Sequence, residues 1–463
     1  MEIEPLVLVN AVGLTGKLLS LAPRLRQLAG LGWTRPLTEP FPAVTTTCQA
    51  TLLTGKTPSH HGIVGNGWFF RDTAEVRFWQ QSNSLIQAEP LYTTARKRAA
   101  RQGKSFTAAK WFWWYNQGAD VDFSLTPKPW YGADGNKAFG ITGDPDSLPG
   151  EMEKEFGPFP FHTFWGPLAG IGCTGWIART AAGLLLRKKP TLTLVYLPHL
   201  DYEPQRKGPA GCDMKKEVEQ LDAACQPILD AAKKIGARVW VVSEYGHVDV
   251  QAAIEPNRLL RKQGLLTVRD GPFGETIDFF NSPAFAVCDH QAAHVYVRKP
   301  EALQRVRELF TQTPGVARVY DKTQLADLGL AHERSGDLVL ASAPNHWFAY
   351  PYWLERSGAP DFAPTVDIHR KPGYDPCELF FDPRLAFPKL RVARKLLGKK
   401  LGFRTLMDVI PLDPALVKGS HGLVSSGDDD GALLIGDGPA PGAVKLPMTA
   451  VRDLVLTALG LEE

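Results

Sequence analysis

An α/β fold built on a mostly parallel sheet is predicted by three observations. Continuous apolar runs at Leu6–Asn10, Thr191–Leu197 and Arg238–Ser243 lack alternation and read as strands buried on both faces. Between them lie stretches of helical period, Thr174–Arg187 and Val218–Ile235, which predict helices on both faces of the sheet. Polar residues then follow the strand runs directly: Asn10 after the first, His199 and Asp201 after the second, Glu244 after the third. In such sheets ligands sit beyond the carboxyl ends of the strands, so three strand ends point towards one crevice.

Each remaining segment fits that frame. The opening MEIEPLVLVNAVGL has two glutamates before a short apolar run, so it reads as a buried strand and not as a signal peptide. No stretch approaches the roughly 20 apolar residues that span a bilayer, and a cytoplasmic protein is expected. From residue 251 to 364 the pattern changes. Ala293–Val297, Glu301–Gln312 and Asp337–Ser342 predict a small α/β cap insertion, leaving 1–250 and 365–463 as the core. The basic stretch Arg391–Lys400 reads as a solvated helix face, and Asp428–Asp430 as a turn. At 463 residues, 44% hydrophobic and 22% charged, the chain is an ordinary globular one. Its net charge of +3 is too small to imply nucleic acid or an acidic membrane surface as partner. Six scattered cysteines without CxxC spacing read as reduced thiols.

Chemistry concentrates in Thr45–Trp68, TTTCQATLLTGKTPSHHGIVGNGW. Hydroxyls fall at a strand-to-helix junction, where backbone N–H groups lack intrahelical acceptors and the helix dipole favours an anion. A hydroxyl placed there can attack phosphorus once its proton is drawn off. The segment resembles the type I phosphodiesterase/nucleotide pyrophosphatase family of the alkaline phosphatase superfamily, which reads Thr-x-Pro-Asn-x-x-x-x-x-Thr-Gly-x-x-Pro-x-x-His-Gly-Ile-x-Gly-Asn. Thr54-Gly55, Pro58, His61-Gly62-Ile63 and Gly65-Asn66 align, which puts the nucleophile on Thr45 and the phosphate-contacting amide on Asn66. Thr47-Cys48 stands where the family has Pro-Asn. The resemblance implies an alkaline-phosphatase-like fold.

It also implies two metal ions, usually zinc, held by aspartates and histidines. In YLPHLDYEPQRKGP, Asp201 keeps its place, and Gln205, whose amide oxygen is a poorer zinc ligand than imidazole, stands where the family has a histidine. The family's Ser-Asp-His-Gly is here Ser243-Glu244-Tyr245-Gly246, and neutral tyrosine makes a poor ligand. Val12 replaces the first-strand aspartate, and Asn10, two residues earlier on the same strand face, offers a substitute donor. His421, in Gly419-Ser420-His421-Gly422, matches closely. The resemblance thus assigns Asp201, Gln205, Glu244, His421 and Asn10 to metal binding. His199, His247, His290 (in Asp289-His290) and His369 are replacement donors. The cofactor is a divalent metal, zinc first with manganese or magnesium as alternatives, and one or two ions remain open.

On the substrate side, Lys110 heads an aromatic cluster, Trp111-Phe112-Trp113-Trp114-Tyr115, read either as core or as a pocket wall. The resemblance makes Lys110 a counter-ion for phosphate and places a stacking aromatic at Trp68–Phe70. The expected function is metal-dependent hydrolysis of a small organic phosphate, a sugar phosphate or nucleotide, with Thr45 as nucleophile. Similarity to a branch found beside sugar-phosphate cyclases favours a sugar or cyclitol phosphate. Alternatives are a catalytically degenerate binding protein and a phosphosugar mutase or phosphotransferase.

Overall fold

The computed structural model describes residues 3–133, 137–403 and 405–462. Leu6–Ala11 forms the central strand of a nine-stranded sheet, and all six of its residues are buried. It pairs in parallel with Leu192–Leu197 on one side and Arg238–Val242 on the other, and the former is likewise buried throughout. Ala108–Trp111 and Phe123–Tyr131 continue the parallel array. The sheet ends on that side in an antiparallel strand, Lys137–Asp144. On the other side Leu433–Gly436 and Trp33–Thr38 extend it antiparallel. Unbroken apolar strands in the middle and polar strand ends at one rim follow directly from burial on two faces.

The helices Ile171–Lys188 and Met214–Ile235 lie against each other. Asp222, fully buried on the second, accepts from the backbone N–H groups of Arg24 and Leu25 at 3.0 Å each. It thereby satisfies the open end of the helix Pro23–Leu31, whose proline at the first turn needs no acceptor.

A second, four-stranded sheet packs its own apolar core. Its order is Ala284–Asp289, Ala292–Val297, Leu338–Ser342, Val316–Tyr320. The sequence pattern misses the first and last of these. The hairpin between the first two strands turns at His290, a non-glycine residue at φ +58°. That conformation costs about 1 kcal/mol, and it is held where the ring enters the site described below.

The segment 367–378 is held by a buried ionic cluster. Lys371, fully buried, meets Asp375 at 2.6 Å and Glu378 at 2.8 Å. Glu378 also accepts from the Trp165 indole at 2.6 Å and the Asp367 amide at 2.9 Å. Lys371→Met removes the cation and leaves two buried carboxylates unpaired. Urea unfolding should show a loss of about 3–5 kcal/mol; a change within experimental error would contradict this assignment.

Candidate active site

The helix Thr45–Thr54 starts at the rim where the central strands end. Val44 is extended at its cap, so Thr45 and Thr46 open the first turn, and Gly55 closes the helix at φ +63°. The Thr46 amide donates to Asn66 Oδ1 at 3.0 Å, and the Thr46 hydroxyl to the Gly65 carbonyl at 2.8 Å. Asn66 is gripped in turn by Asp289, which accepts from its backbone N–H at 2.7 Å and its Nδ2 at 3.0 Å. A side chain on Gly65 would press on Asp289 at 3.0 Å, so glycine permits this approach. Burial pushes the Asp289 carboxyl up to about 7. His61 pins the same loop: its Nδ1 accepts from the Ile63 amide and its Nε2 meets the Thr51 hydroxyl, both at 3.1 Å.

Thr45 Oγ1 lies 2.8 Å from Tyr245 Oη, which lies 3.3 Å from Asp201 Oδ1. A carboxylate only accepts, so Tyr245 donates to Asp201 and receives the proton of Thr45. Burial, then Asp201, holds the Tyr245 hydroxyl well above its ordinary range. His247 Nε2 reaches the same Asp201 oxygen at 3.0 Å. His421 Nδ1 lies 2.8 Å from the Ala43 carbonyl and so carries the hydrogen. Its Nε2 is buried without a hydrogen-bond partner, 3.7 Å from Asp201 Oδ1. Burial, then His290, keeps this imidazole neutral.

Four rings form a column behind these groups. Tyr245 stacks on His421 at 3.6 Å and His290 on Tyr374 at 3.8 Å, while His421 meets His290 at 3.8 Å between centroids with the rings tilted by 37°. Tyr374 donates to Gln205 Oε1 at 2.6 Å, and Gln205 Nε2 donates to the Asp201 carbonyl at 2.7 Å.

The two metal positions implied by the sequence fare differently. One ligand atom each from Asp201, His247 and His421 lies within 4.8 Å of the others. Two imidazoles and a carboxylate suit a divalent cation, and the unpartnered His421 Nε2 presents a lone pair to the gap. The second position is built differently. Asn10 Nδ2 and Gln49 Nε2 both donate to Glu244 Oε1, at 2.5 and 2.7 Å, while Glu244 Oε2 and Asn10 Oδ1 are buried without a hydrogen-bond partner among the described residues. Burial pushes the Glu244 carboxyl up to about 8, the state of a neutral acid.

Several expectations are corrected. Gln205 spends both ends of its amide on Tyr374 and Asp201, and His247 stands beside Asp201 in its stead. Asn10 donates to Glu244 through Nδ2, and its Oδ1 has no hydrogen-bond partner among the described residues. Lys110 is fully buried and donates to the Tyr115 carbonyl at 2.6 Å and Tyr92 Oη at 3.4 Å; burial lowers its pKa well below the ordinary value, so it is no phosphate counter-ion. His199 faces Glu217 on the helix Met214–Ile235 at 3.0 Å. Trp68 stacks on Phe70 and Phe69 packs in the second core. His369 lines a cavity of about 330 Å³. Of the aromatic cluster, Trp111, Phe112 and Trp113 are core, and Trp114 reaches the cavity, joined by Trp79 and Trp165. Trp79 and Trp165 come from distant segments without spacing signals. Trp114 ties the cavity to the site, for its amide donates to Gln49 Oε1 at 2.8 Å. The Trp79 and Trp165 rings pack on Tyr374, at 6.0 and 5.9 Å.

The sequence profile described as type I phosphodiesterase/nucleotide pyrophosphatase matches residues 6–375. The chain belongs to this family. It is thereby a member of a family of phosphoric ester hydrolases, and its fold is alkaline-phosphatase-like. Among similar solved structures is the murine ectonucleotide pyrophosphatase/phosphodiesterase 5, at 15% identity and TM-score 0.58 over 99% of this chain and 95% of that one. The human counterpart aligns at 14% identity and TM-score 0.59 over the same shares. Phosphonoacetate hydrolase from Sinorhizobium meliloti 1021, in complex with phosphonoacetate, aligns at 14% and TM-score 0.61 over 99% and 96%. No curated protein matches the sequence significantly.

Glu244 carries a pH signature. Its carboxyl is raised to about 8 from an ordinary 4.5, so the unfolded chain releases this proton first. Its contribution is fully present below about pH 4.5 and is lost as pH rises through 8. Relative to Glu244→Gln, chelator-treated wild type should lose on the order of a few kcal/mol between pH 5 and 8.5 in urea unfolding. Parallel pH profiles would refute a buried neutral acid.

Proposed function

We propose that the chain is a metal-dependent hydrolase of phosphate esters on small organic molecules, a sugar phosphate or a nucleotide, with Thr45 as nucleophile. The observation that carries this reading is the hydrogen-bonded line from Thr45 Oγ1 through Tyr245 Oη to Asp201 Oδ1, set at a helix start. Thr45 Oγ1 bonds to phosphorus as the bond from phosphorus to the leaving oxygen breaks. The Thr45 proton passes to Tyr245 as the Tyr245 proton passes to Asp201, and the leaving oxygen takes a proton from water. The second hydrogen of Asn66 Nδ2 and the backbone amides of the first helical turn steady the equatorial oxygens. Water then attacks phosphorus as the bond to Thr45 Oγ1 breaks. Thr45 takes its proton back from Tyr245, and Tyr245 recovers its own from Asp201. The hydroxide left by the first step takes the proton the attacking water gives up. A divalent ion held by Asp201, His247 and His421, with zinc the best match to this donor set, would supply Lewis acidity to the phosphoryl group.

Small phosphorus anions bound by relatives support the substrate class: an inactive variant of the murine enzyme is described in complex with AMP, and the S. meliloti hydrolase with phosphonoformate. The cavity beside Trp79, Trp114 and Trp165 would take the organic part. The amide-capped Glu244 favours a second reading, a binding protein without turnover.

Kinetics on bis-p-nitrophenyl phosphate and p-nitrophenyl phosphate separate the two readings. Thr45→Ala should lower kcat by roughly 10³-fold or more, and Tyr245→Phe by about 10²-fold with KM nearly unchanged. Turnover that survives Thr45→Ala would contradict the nucleophile. No turnover in wild type with zinc, manganese or magnesium would favour the binding protein.

A further inference from the structure

The helix Pro388–Lys400 has no buried residue. Its half-covered positions, Pro388, Val392, Lys395 and Gly398, recur at helical spacing and mark the side facing the protein. Arg391 and Lys395 on this side pair with Asp408, and Lys399 donates to the Lys137 carbonyl at 3.0 Å. The outward side is apolar. Leu390, Leu397 and the adjoining Leu401 share one face and are 67%, 58% and 66% exposed. Phe387 and Phe403 at the two ends are 73% and 67% exposed. Leucines on the solvent side of a surface helix invert the usual pattern of globular proteins, and the usual polar face does not account for them.

Charge identifies what covers this face. The 13-residue helix holds six Lys and Arg and no acidic residue. Lys389, Arg394 and Lys400 are exposed, flank the leucine stripe, and have no acidic partner among the described residues. An apolar stripe bordered by unpaired cations is the pattern of a helix lying in a membrane interface, where leucines enter the acyl boundary and cations meet anionic headgroups. The neighbouring hairpin adds Trp130, Tyr131 and Phe139, each about half exposed, beside Lys137. Tyrosine and tryptophan suit the same depth. The whole-chain charge of +3 conceals this concentration.

We propose that this helix, with Phe387, Leu401 and Phe403, docks the protein on an anionic lipid bilayer. Tyr131, Lys137 and Phe139 also line the cavity that reaches towards Tyr374, so docking brings the cavity rim to the membrane.

Co-sedimentation of the full chain with vesicles tests this. Binding is expected to phosphatidylcholine vesicles containing phosphatidylglycerol, with about tenfold or greater weakening in raised salt, on pure phosphatidylcholine, and in the double variant Leu390→Asp, Leu397→Asp. Both leucines are exposed, so the variant keeps its fold and its turnover of soluble p-nitrophenyl phosphate. No vesicle binding would overturn the proposal, as would equal binding by the double variant. Self-association abolished by the double variant, without vesicle binding, would assign the face to a second copy of the chain.

Discussion

A carboxylate can only accept hydrogen bonds, and that limitation at Asp201 orders the site. Tyr245 must donate to it, so the Tyr245 oxygen is free to receive the Thr45 proton. His247 approaches the same oxygen, and His421 is held alongside by the Ala43 carbonyl. The rest of the structure keeps Asp201 and Tyr245 in place. Gln205 ties the Asp201 backbone to Tyr374, the ring column presses Tyr245 against His421, and the Lys371 cluster anchors the segment that carries Tyr374.

Glu244 faces the constraint that burial places on any carboxylate. A carboxylate at the end of a buried strand needs compensation, and a cation is one way to provide it. Two amide donors lie on Glu244 Oε1, and burial raises its carboxyl to about 8. The tyrosine at the next position bridges Thr45 and Asp201 through its hydroxyl.

Much of this was legible in the sequence because it is written locally. Strands buried on both faces are unbroken apolar runs, and the residue after each run sits at the rim. Thr45, Asn66, Asp201 and His421 belong to short motif blocks, and the structure brings them into one region. What escaped depends on distance along the chain. Lys110 stands beside an aromatic cluster in sequence, but its side chain is spent on Tyr115 and Tyr92. Gln205 occupies a ligand's place in the motif, yet its amide is oriented by Tyr374, 169 residues away. The cavity is assembled from Trp79, Trp114 and Trp165, and no periodicity joins those three positions. The helix Pro388–Lys400 was visible as basic, but which side faces the protein could only be seen in the fold.

We expect Asp201, His247 and His421 to hold the one ion that turnover needs, with the Tyr245 hydroxyl taking the place of a second ion at Thr45. Elemental analysis of the active enzyme, purified and titrated with zinc until turnover saturates, tests it most directly. Full activity is expected at one ion per chain, with that ion lost in His247→Ala and in His421→Ala and retained in Tyr245→Phe. Two ions per chain at saturating activity, or loss of an ion in Tyr245→Phe, would contradict it.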